Sequence, residues 1–162
     1  MIKPLFQNIL VMVNGTDASI NAVKYAVLMA RLYHCRVTAV YVVDTATIKQ
    51  LALNHIFIEE ESREYEQSLE ENGSRYLAYV SELGKAKGVS IETVLRRGAI
   101  WSEIVSCAEE TKADVILMGG SEREAGDQRE IISSTFKSVL FNARCSVLIV
   151  HEPMIEQLYK LA

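Results

Sequence analysis

The sequence predicts a doubly wound α/β fold, a five-stranded parallel sheet with helices on both faces. Five short apolar runs alternate with longer segments of helical periodicity along the chain of 162 residues. A parallel return between strands needs a connection about as long as a helix, and such crossovers are right-handed. The length suits one domain that buries its own core. These observations together predict the fold class.

The first strand and the first helix are predicted from the start of the chain. Asn8–Val13 is a nearly continuous apolar run that ends at Asn14-Gly15, as expected of a strand buried on both faces. The helix after it extends to about Tyr33, and Asp17 or Ser19 is expected to cap its start. Its inner face is predicted to carry Ala22, Ala26, Leu28 or Met29, and Leu32.

Four further apolar runs are predicted to complete the sheet. They are rich in β-branched and aromatic residues, which are typical of strands, and the fourth strand ends at Gly119-Gly120. The predicted bounds are Val37–Val43, Ser90–Leu95, Val115–Met118 and Ser146–Val150.

The longest insert lies between the second and third strands. The second half of the insert, Glu59–Lys87, is predicted to form one amphipathic helix that stops at Gly88. Apolar residues at helical spacing are expected on its inner face, namely Tyr65, Leu69, Tyr76, Val80 and Leu83. The first half of the insert, within residues 45–60, mixes apolar and polar residues and is predicted to be an irregular insert, with a short helix or a mobile lid left open. The domain is expected to cover residues 1–152, and the tail, residues 153–162, is expected to form one or two helical turns.

Composition narrows the class of protein. The net charge is −4, and no cluster of Lys and Arg suggests nucleic acid binding; Arg96-Arg97 and Lys85/Lys87 are expected to be solvated. The three cysteines lie far apart, which indicates a reducing compartment and no metal site. No signal peptide or membrane-spanning run is apparent, so we expect a soluble, cytoplasmic protein that binds no membrane.

A binding site is expected at the carboxyl ends of the strands, where the strand order reverses. Three loops meet this condition, Asn14–Ser19, Val43–Thr47 and Gly119–Thr135. Backbone N–H groups and hydroxyls at the start of the last helix suit an anion such as phosphate, although Gly-Gly after a strand and Ser-Ser-Thr before a helix also occur as a simple turn and cap. The candidate polar residues are Asn14, Gly15, Gly119, Gly120, Ser133, Ser134 and Thr135.

An ordered series of stretches resembles the universal stress protein family over nearly the whole chain. These stretches are Ile9–Ser19, Ala22–Ala30, Val40–Asp44, Arg97-Gly98, Glu103-Ile104, Ala113–Gly119, Ser138–Leu140 and Cys145–Val150. The resemblance implies an adenine nucleotide alpha hydrolase-like fold and a pocket for ATP or AMP. It implies that the base lies against Val42 and Met118, with the phosphates near Gly119, Gly120, Ser133 and Ser134.

The chain departs from the family's nucleotide-binding pattern at three positions. Asn14 replaces the aspartate that ends the first strand, Glu122 occupies the position of a glycine, and Ser133 stands where the last glycine belongs. Glycine turns its N–H groups toward a phosphate at little conformational cost, whereas Glu and Ser resist that conformation. The nearby loop also holds more carboxylates than guanidinium groups, namely Glu122, Glu124, Asp127 and Glu130 against Arg123 and Arg129, which disfavours a triphosphate.

Two functions therefore remain open. The sequence favours a non-enzymatic stress-response protein with a weak or vestigial adenine-nucleotide pocket, which acts through homodimerisation and contact with a protein partner that the sequence does not identify. The alternative is a genuine ATP- or AMP-binding protein, with or without slow ATP hydrolysis. No nucleophile or acid–base pair stands out, so no catalytic residue is predicted.

The last strand, Ser146–Val150, is apolar and is expected to form an edge of the sheet. A bare apolar edge is an aggregation hazard, so something should cover it. The family resemblance implies a homodimer in which two such strands pair antiparallel across a two-fold axis. The alternative is a monomer whose tail after Pro153 folds back over the edge.

Overall fold

The computed structural model describes residues 2–120 and 128–162, with the side chains of the last long helix described from residue 134 onward. Its strands are β1 Asn8–Val13, β2 Arg36–Asp44, β3 Ile91–Gly98, β4 Val115–Gly119 and β5 Ser146–Val150. Its helices are α1 Asp17–Tyr33, α2 Thr45–Leu53, α3 Glu59–Lys85, α4 Ile100–Glu110, α5 Gln128–Asn142 and α6 Ile155–Leu161.

The five strands form one parallel sheet in the order β3-β2-β1-β4-β5, which confirms the predicted fold class. The chain runs outward from β1 to β3 on one side and from β4 to β5 on the other, so the order reverses between β1 and β4. Alternate residues of β1 enter opposite cores. Val11 packs on the face covered by α1 and α3, whereas Leu10 packs on the face covered by α4 and α5. Both faces are therefore buried, as the continuous apolar run predicts.

Helix α1 starts at Asp17, one residue earlier than a cap at Asp17 would allow and three earlier than a cap at Ser19 would allow. Thr16 is the N-cap, and its hydroxyl accepts a hydrogen bond from the Ser19 backbone N–H at 3.1 Å. The prediction of Asp17 or Ser19 as the cap is therefore wrong, since both lie inside the helix. Leu32 is also misassigned, because its side chain is 69% exposed in the last turn while Ala22 and Ala26 are fully buried.

Helix α3 packs on the sheet with only part of its predicted inner face, since Val80 is buried and Leu69 and Leu83 pack partly buried against the core. The buried stripe is Gly73, Leu77, Val80 and Gly84, whereas Tyr65 and Tyr76 are 45% and 37% exposed. A β-carbon on Gly73 would lie 2.5 Å from Cδ1 of Tyr41, so only glycine allows this close approach of the helix to β2. The prediction of Val80 is confirmed, whereas Tyr65 and Tyr76 were wrongly assigned to the inner face. Gly73 and Gly84 were missed because the prediction weighted side-chain size and ignored the glycines.

The insert and the tail are both helical. Helix α2 occupies the first nine residues of the insert, which is therefore not irregular there. In the tail, Ile155 is buried, and the Tyr159 hydroxyl donates a hydrogen bond to the Leu83 carbonyl oxygen at 2.7 Å. Helix α6 thus packs against α1 and the end of α3. Within residues 2–120 and 128–162, no helix is both long enough and apolar enough to cross a membrane.

Strand β3 extends to Gly98, past its predicted end, and this places Arg96 against α4. Its guanidinium donates hydrogen bonds to Glu103 at 2.7 Å and Glu110 at 2.6 Å. The hydrogen bond from Arg96 holds the pKa of the Glu110 carboxyl below its usual value. Arg96 is paired and largely buried, so its prediction as a solvated surface residue is wrong.

Candidate functional site

A cavity of about 270 Å³ opens at the carboxyl ends of β1 and β2, beside the point where the strand order reverses. This volume is near the lower end for small-molecule sites, roughly 300–1,000 Å³. The cavity lies across the edge of the sheet, so both cores contribute to its walls. Its lining residues are Met12, Val13, Asn14, Thr16, Tyr41, Val42, Asp44, Thr47, Tyr65, Leu69, Ile100, Thr135 and Phe136.

The first polar wall is the turn after β1. The Asn14 side-chain oxygen accepts hydrogen bonds from the Thr16 backbone N–H at 3.1 Å and from the Thr16 hydroxyl at 2.6 Å. Gly15 has φ of +82°, and a β-carbon there would lie 2.6 Å from the ring of Tyr76. The turn is therefore fixed by its own hydrogen bonds and by close packing on α3, and it presents Asn14 and Thr16 to the cavity.

An apolar slot forms the middle of the cavity. Met12 and Val42 come from the ends of adjacent strands, Ile100 from the first turn of α4, and Phe136 from α5. Met118 belongs to the same hydrophobic cluster but is fully buried and does not line the cavity. Of the two predicted base contacts, the structure thus brings Val42 to the cavity and places Met118 in the core beside it.

A carboxylate lies at the rim beside this slot. The Asp44 side chain caps α2 by accepting hydrogen bonds from the Thr47 backbone N–H at 3.1 Å and the Thr47 hydroxyl at 2.6 Å. Both residues line the cavity. The sequence pointed to their loop but singled out neither residue. The available signal was an acidic residue directly after a strand and three residues before a threonine, which is a pattern typical of a helix N-cap.

The wall on the α3 side is aromatic. Tyr41 of β2 is buried at the cavity and stacks on Tyr76 with ring centroids 6.3 Å apart and planes at 20°. Burial raises the pKa of the Tyr41 phenol, and the nearby phenols of Tyr76 and Tyr65 raise it further. Tyr41 therefore remains a neutral phenol at physiological pH. Sequence reasoning missed this wall, because it considered Tyr65 and Leu69 only as core-facing residues; Leu69 does pack against the core, but both residues also line the cavity.

Gly119 and Gly120 are both tightly packed. A β-carbon on Gly119 would overlap the backbone of Ala18 in α1, and one on Gly120 would overlap the His151 ring. Neither glycine lines the cavity. Gly119 therefore has a packing reason to be glycine, because backbone cannot move aside, whereas the exposed His151 side chain could rotate away from a larger residue at Gly120.

Helix α5 begins at Gln128, so Ser133, Ser134 and Thr135 lie within the helix and do not open it. The prediction of free backbone N–H groups at these residues is therefore wrong, because only the first four N–H groups of a helix lack a partner within it. Ser134 and Thr135 still contribute to the walls of the site. Thr135 lines the main cavity, and Ser134 and Thr135 line an adjoining one of about 340 Å³ that also contains Trp101. Of the predicted phosphate residues, Ser133 lies in α5, but its side chain is outside the described residues. The loop carboxylates Glu122, Glu124 and Asp127 and the side chain of Glu130 also lie outside them. The expected repulsion of a triphosphate there stays a prediction.

Comparison with known proteins gives one consistent family. The profile of the universal stress protein family matches residues 5–151. A universal stress protein of Methanocaldococcus jannaschii is 34% identical over 153 residues, which covers 94% of this chain and 86% of that protein.

Solved structures agree with this comparison in fold. The universal stress protein UspA from Lactobacillus plantarum superposes with a TM-score of 0.73 at 23% identity, over 90% of this chain and 98% of that one. A universal stress protein family protein from Arabidopsis thaliana, solved with AMP bound, superposes with a TM-score of 0.63 at 14% identity, over 93% and 94% of the two chains. The family profile spans nearly the whole chain, and the relatives share its fold from end to end. The chain therefore belongs to the universal stress protein family.

Proposed function

We propose that this stress protein binds an adenine nucleotide in the cavity at the carboxyl ends of β1 and β2, and senses the nucleotide without converting it. The observation that carries the proposal is the combination, in one cavity, of an apolar slot and a polar rim. Small-molecule sites typically combine mostly apolar walls with a few placed polar groups, and doubly wound sheets bind nucleotides at this position. Of the two functions left open by the sequence, the cavity favours the nucleotide binder.

In this proposal the base occupies the apolar part of the cavity, to which Val42 and Phe136 contribute, because a flat heterocycle gains most from burial against apolar side chains. The Asp44 carboxylate accepts hydrogen bonds from ribose hydroxyls, as acidic residues do in other nucleotide-binding folds. The Asn14 amide also lines the cavity, and its NH₂ group can donate to the sugar or to a phosphate oxygen.

Solved relatives support an adenine ligand over other small molecules. Universal stress proteins with this fold are known as complexes with AMP, dAMP and cAMP. All three ligands share the adenine base and carry a single phosphate group. We therefore expect a monophosphate to be at least as good a ligand for this chain as ATP.

A second candidate function is a non-binding stress protein that acts through dimerisation and a protein partner. The packing of Gly119 favours it, because the backbone of Ala18 explains that glycine without a phosphate. The two functions differ in one measurable property, the affinity for adenine nucleotides.

The test is calorimetric titration of the purified protein with AMP, ADP and ATP. A separate sample is denatured by heat, and chromatography of the extract detects any nucleotide that was already bound. Val42→Asp places a charge in the apolar slot and should weaken AMP binding at least about tenfold. The control is Leu53→Asp, at an exposed position of α2 outside the cavity, which should leave the affinity unchanged. No binding heat and no nucleotide in the extract would instead support the second function.

A further inference from the structure

The first half of α3 flanks the cavity. Tyr65 and Leu69 lie one helical turn apart, so they share a face, and both line the cavity. The buried stripe of the same helix begins only at Gly73. This segment therefore holds its two side chains against the cavity, while the other half of α3 anchors the helix on the sheet.

The Tyr65 ring is supported on the side of the α2–α3 connection. Phe57 contacts it edge-to-face, with centroids 5.6 Å apart and planes at 62°. Such aromatic pairs stabilise a ring in a defined orientation. The ring nevertheless remains 45% exposed, and the Tyr65 hydroxyl has no hydrogen-bond partner among residues 2–120 and the described part of 128–162. A supported, half-open aromatic ring at a cavity wall is suited to stacking on a flat ligand.

One arginine ties the first half of α3 to β3 and so supports the rotation that the buried stripe gives the helix. Arg97 of β3 forms ion pairs with Glu66 at 2.8 Å and with Glu70 at 2.5 Å. Each glutamate is the neighbour of a cavity residue in sequence, since Glu66 follows Tyr65 and Glu70 follows Leu69. Glu66 and Glu70 lie one helical turn apart and share the Arg97 guanidinium. These ion pairs help to keep the adjacent residues Tyr65 and Leu69 turned toward the cavity.

We infer that Tyr65 is a specificity-determining residue, which stacks on the base of the bound nucleotide and selects purines over pyrimidines. Leu69 fills the space beside the ring, and Arg97 acts as a positioning residue that does not touch the ligand. The inference rests on the proposed function, because it requires a nucleotide in the cavity. The physical reason for selection is overlap area, since a two-ring base covers more of a tyrosine ring than a one-ring base does.

The experiment compares AMP and UMP binding by competition calorimetry in four proteins, the unaltered chain, Tyr65→Ala, Tyr65→Phe and Tyr79→Ala. Stacking is worth about 1–3 kcal/mol per base, so Tyr65→Ala should weaken AMP binding about fivefold or more and should reduce the AMP-to-UMP affinity ratio. Tyr65→Phe keeps the aromatic ring and should therefore retain both the AMP affinity and the AMP-to-UMP affinity ratio. Tyr79, also half exposed on α3 but outside the cavity, is the matched control and should change neither.

The outcomes separate this inference from the proposed function. AMP binding that is unchanged in Tyr65→Ala, or weakened equally for AMP and UMP, overturns the role of Tyr65 and leaves nucleotide binding intact. No binding of AMP to the unaltered chain overturns both. Thermal melts of all four proteins confirm that each is folded at the titration temperature.

Discussion

Gly119 shows how one residue can carry two explanations that experiment can separate. The family resemblance explains it through phosphate binding, whereas the structure places it against the backbone of Ala18, where a β-carbon would overlap the Ala18 carbonyl oxygen. Backbone cannot move aside as a flexible side chain can. Packing alone therefore requires glycine at this position.

Gly119→Ala should lower the free energy of unfolding by about 2 kcal/mol or more, because an added methyl group in a packed region forces the backbone to shift. Gly88→Ala is the comparison, since nothing lies within 4 Å of a β-carbon there and only its φ of +73° is unfavourable for alanine. We expect a loss of about 1 kcal/mol at Gly88. Urea denaturation measures both, and a Gly119 variant as stable as the Gly88 variant would contradict the packing explanation.

At the scale of elements, the strands could be predicted closely and the helix faces only partly. A strand buried on both faces is a continuous apolar run, so the bounds of β1 are visible in the sequence. The bounds of β5 were also predicted, from its apolar, β-branched residues, although this edge strand is only partly buried. The face that α3 buries is not visible in the same way, because Gly73 and Gly84 pack closely without contributing apolar side chains. The cap of α1 was missed because Thr16, Asp17 and Ser19 are all chemically suited to capping.

Helix α6 gives a prediction for the tail. Ile155 is 2% exposed, and the Tyr159 ring lies near the amino groups of Lys24 and Lys87, at 5.6 Å and 5.0 Å from its centroid. Ile155→Ala should therefore lower the free energy of unfolding by about 2–4 kcal/mol. Leu161→Ala, at a position 86% exposed, should change it by no more than about 0.5 kcal/mol. Equal effects in chemical denaturation would mean that α6 is not packed in solution as described.

At the scale of the whole molecule, the site was predictable in position but not in composition. The fold class alone places it at the carboxyl ends of the strands, and Asn14, Val42 and Thr135 of the predicted set do line one cavity. Tyr65 and Phe136 could not be predicted as members, because their approach depends on how two helices from distant parts of the chain pack beside the sheet. Sequence patterns report which face of an element is apolar, not which elements meet.

The two edges of the sheet differ in a way that bears on assembly. The β3 edge carries Glu92, Arg96 and Arg97, and charged side chains protect an edge from pairing. The β5 edge carries Val147 and Ile149, and the nearby end of α5 exposes Phe141. Helix α6 packs against α1 and α3. The position of α6 therefore does not support the alternative of a monomer whose tail folds back over the β5 edge. We propose that a second copy of the chain pairs with β5, as the family resemblance implies.

The hydrogen bonds of β5 identify the substitutions that test this dimer. The Gly120 N–H donates to the Val150 carbonyl oxygen at 2.9 Å, so the polar groups of Val150 face β4. The backbone N–H and C=O groups of successive residues point to opposite sides of a strand. The N–H group of Leu148 therefore faces β4, and those of Val147 and Ile149 face the free edge. Proline at Val147 or Ile149 therefore removes a donor from the dimer contact while it spares the pairing within the subunit.

Light scattering coupled to size-exclusion chromatography should give the unaltered chain a mass near twice 18.1 kDa. Val147→Pro and Ile149→Pro should yield monomer, or aggregate where the freed edge associates non-specifically, with helical circular dichroism retained in the monomer. Lys85→Ala, at an exposed position far from β5 in sequence, should leave the dimer unchanged. Leu148→Pro breaks the ladder to β4 and should instead unfold the protein, which distinguishes loss of pairing from loss of fold. A monomeric unaltered chain at micromolar concentration, or proline variants that still form the same dimer, would exclude assembly through this edge.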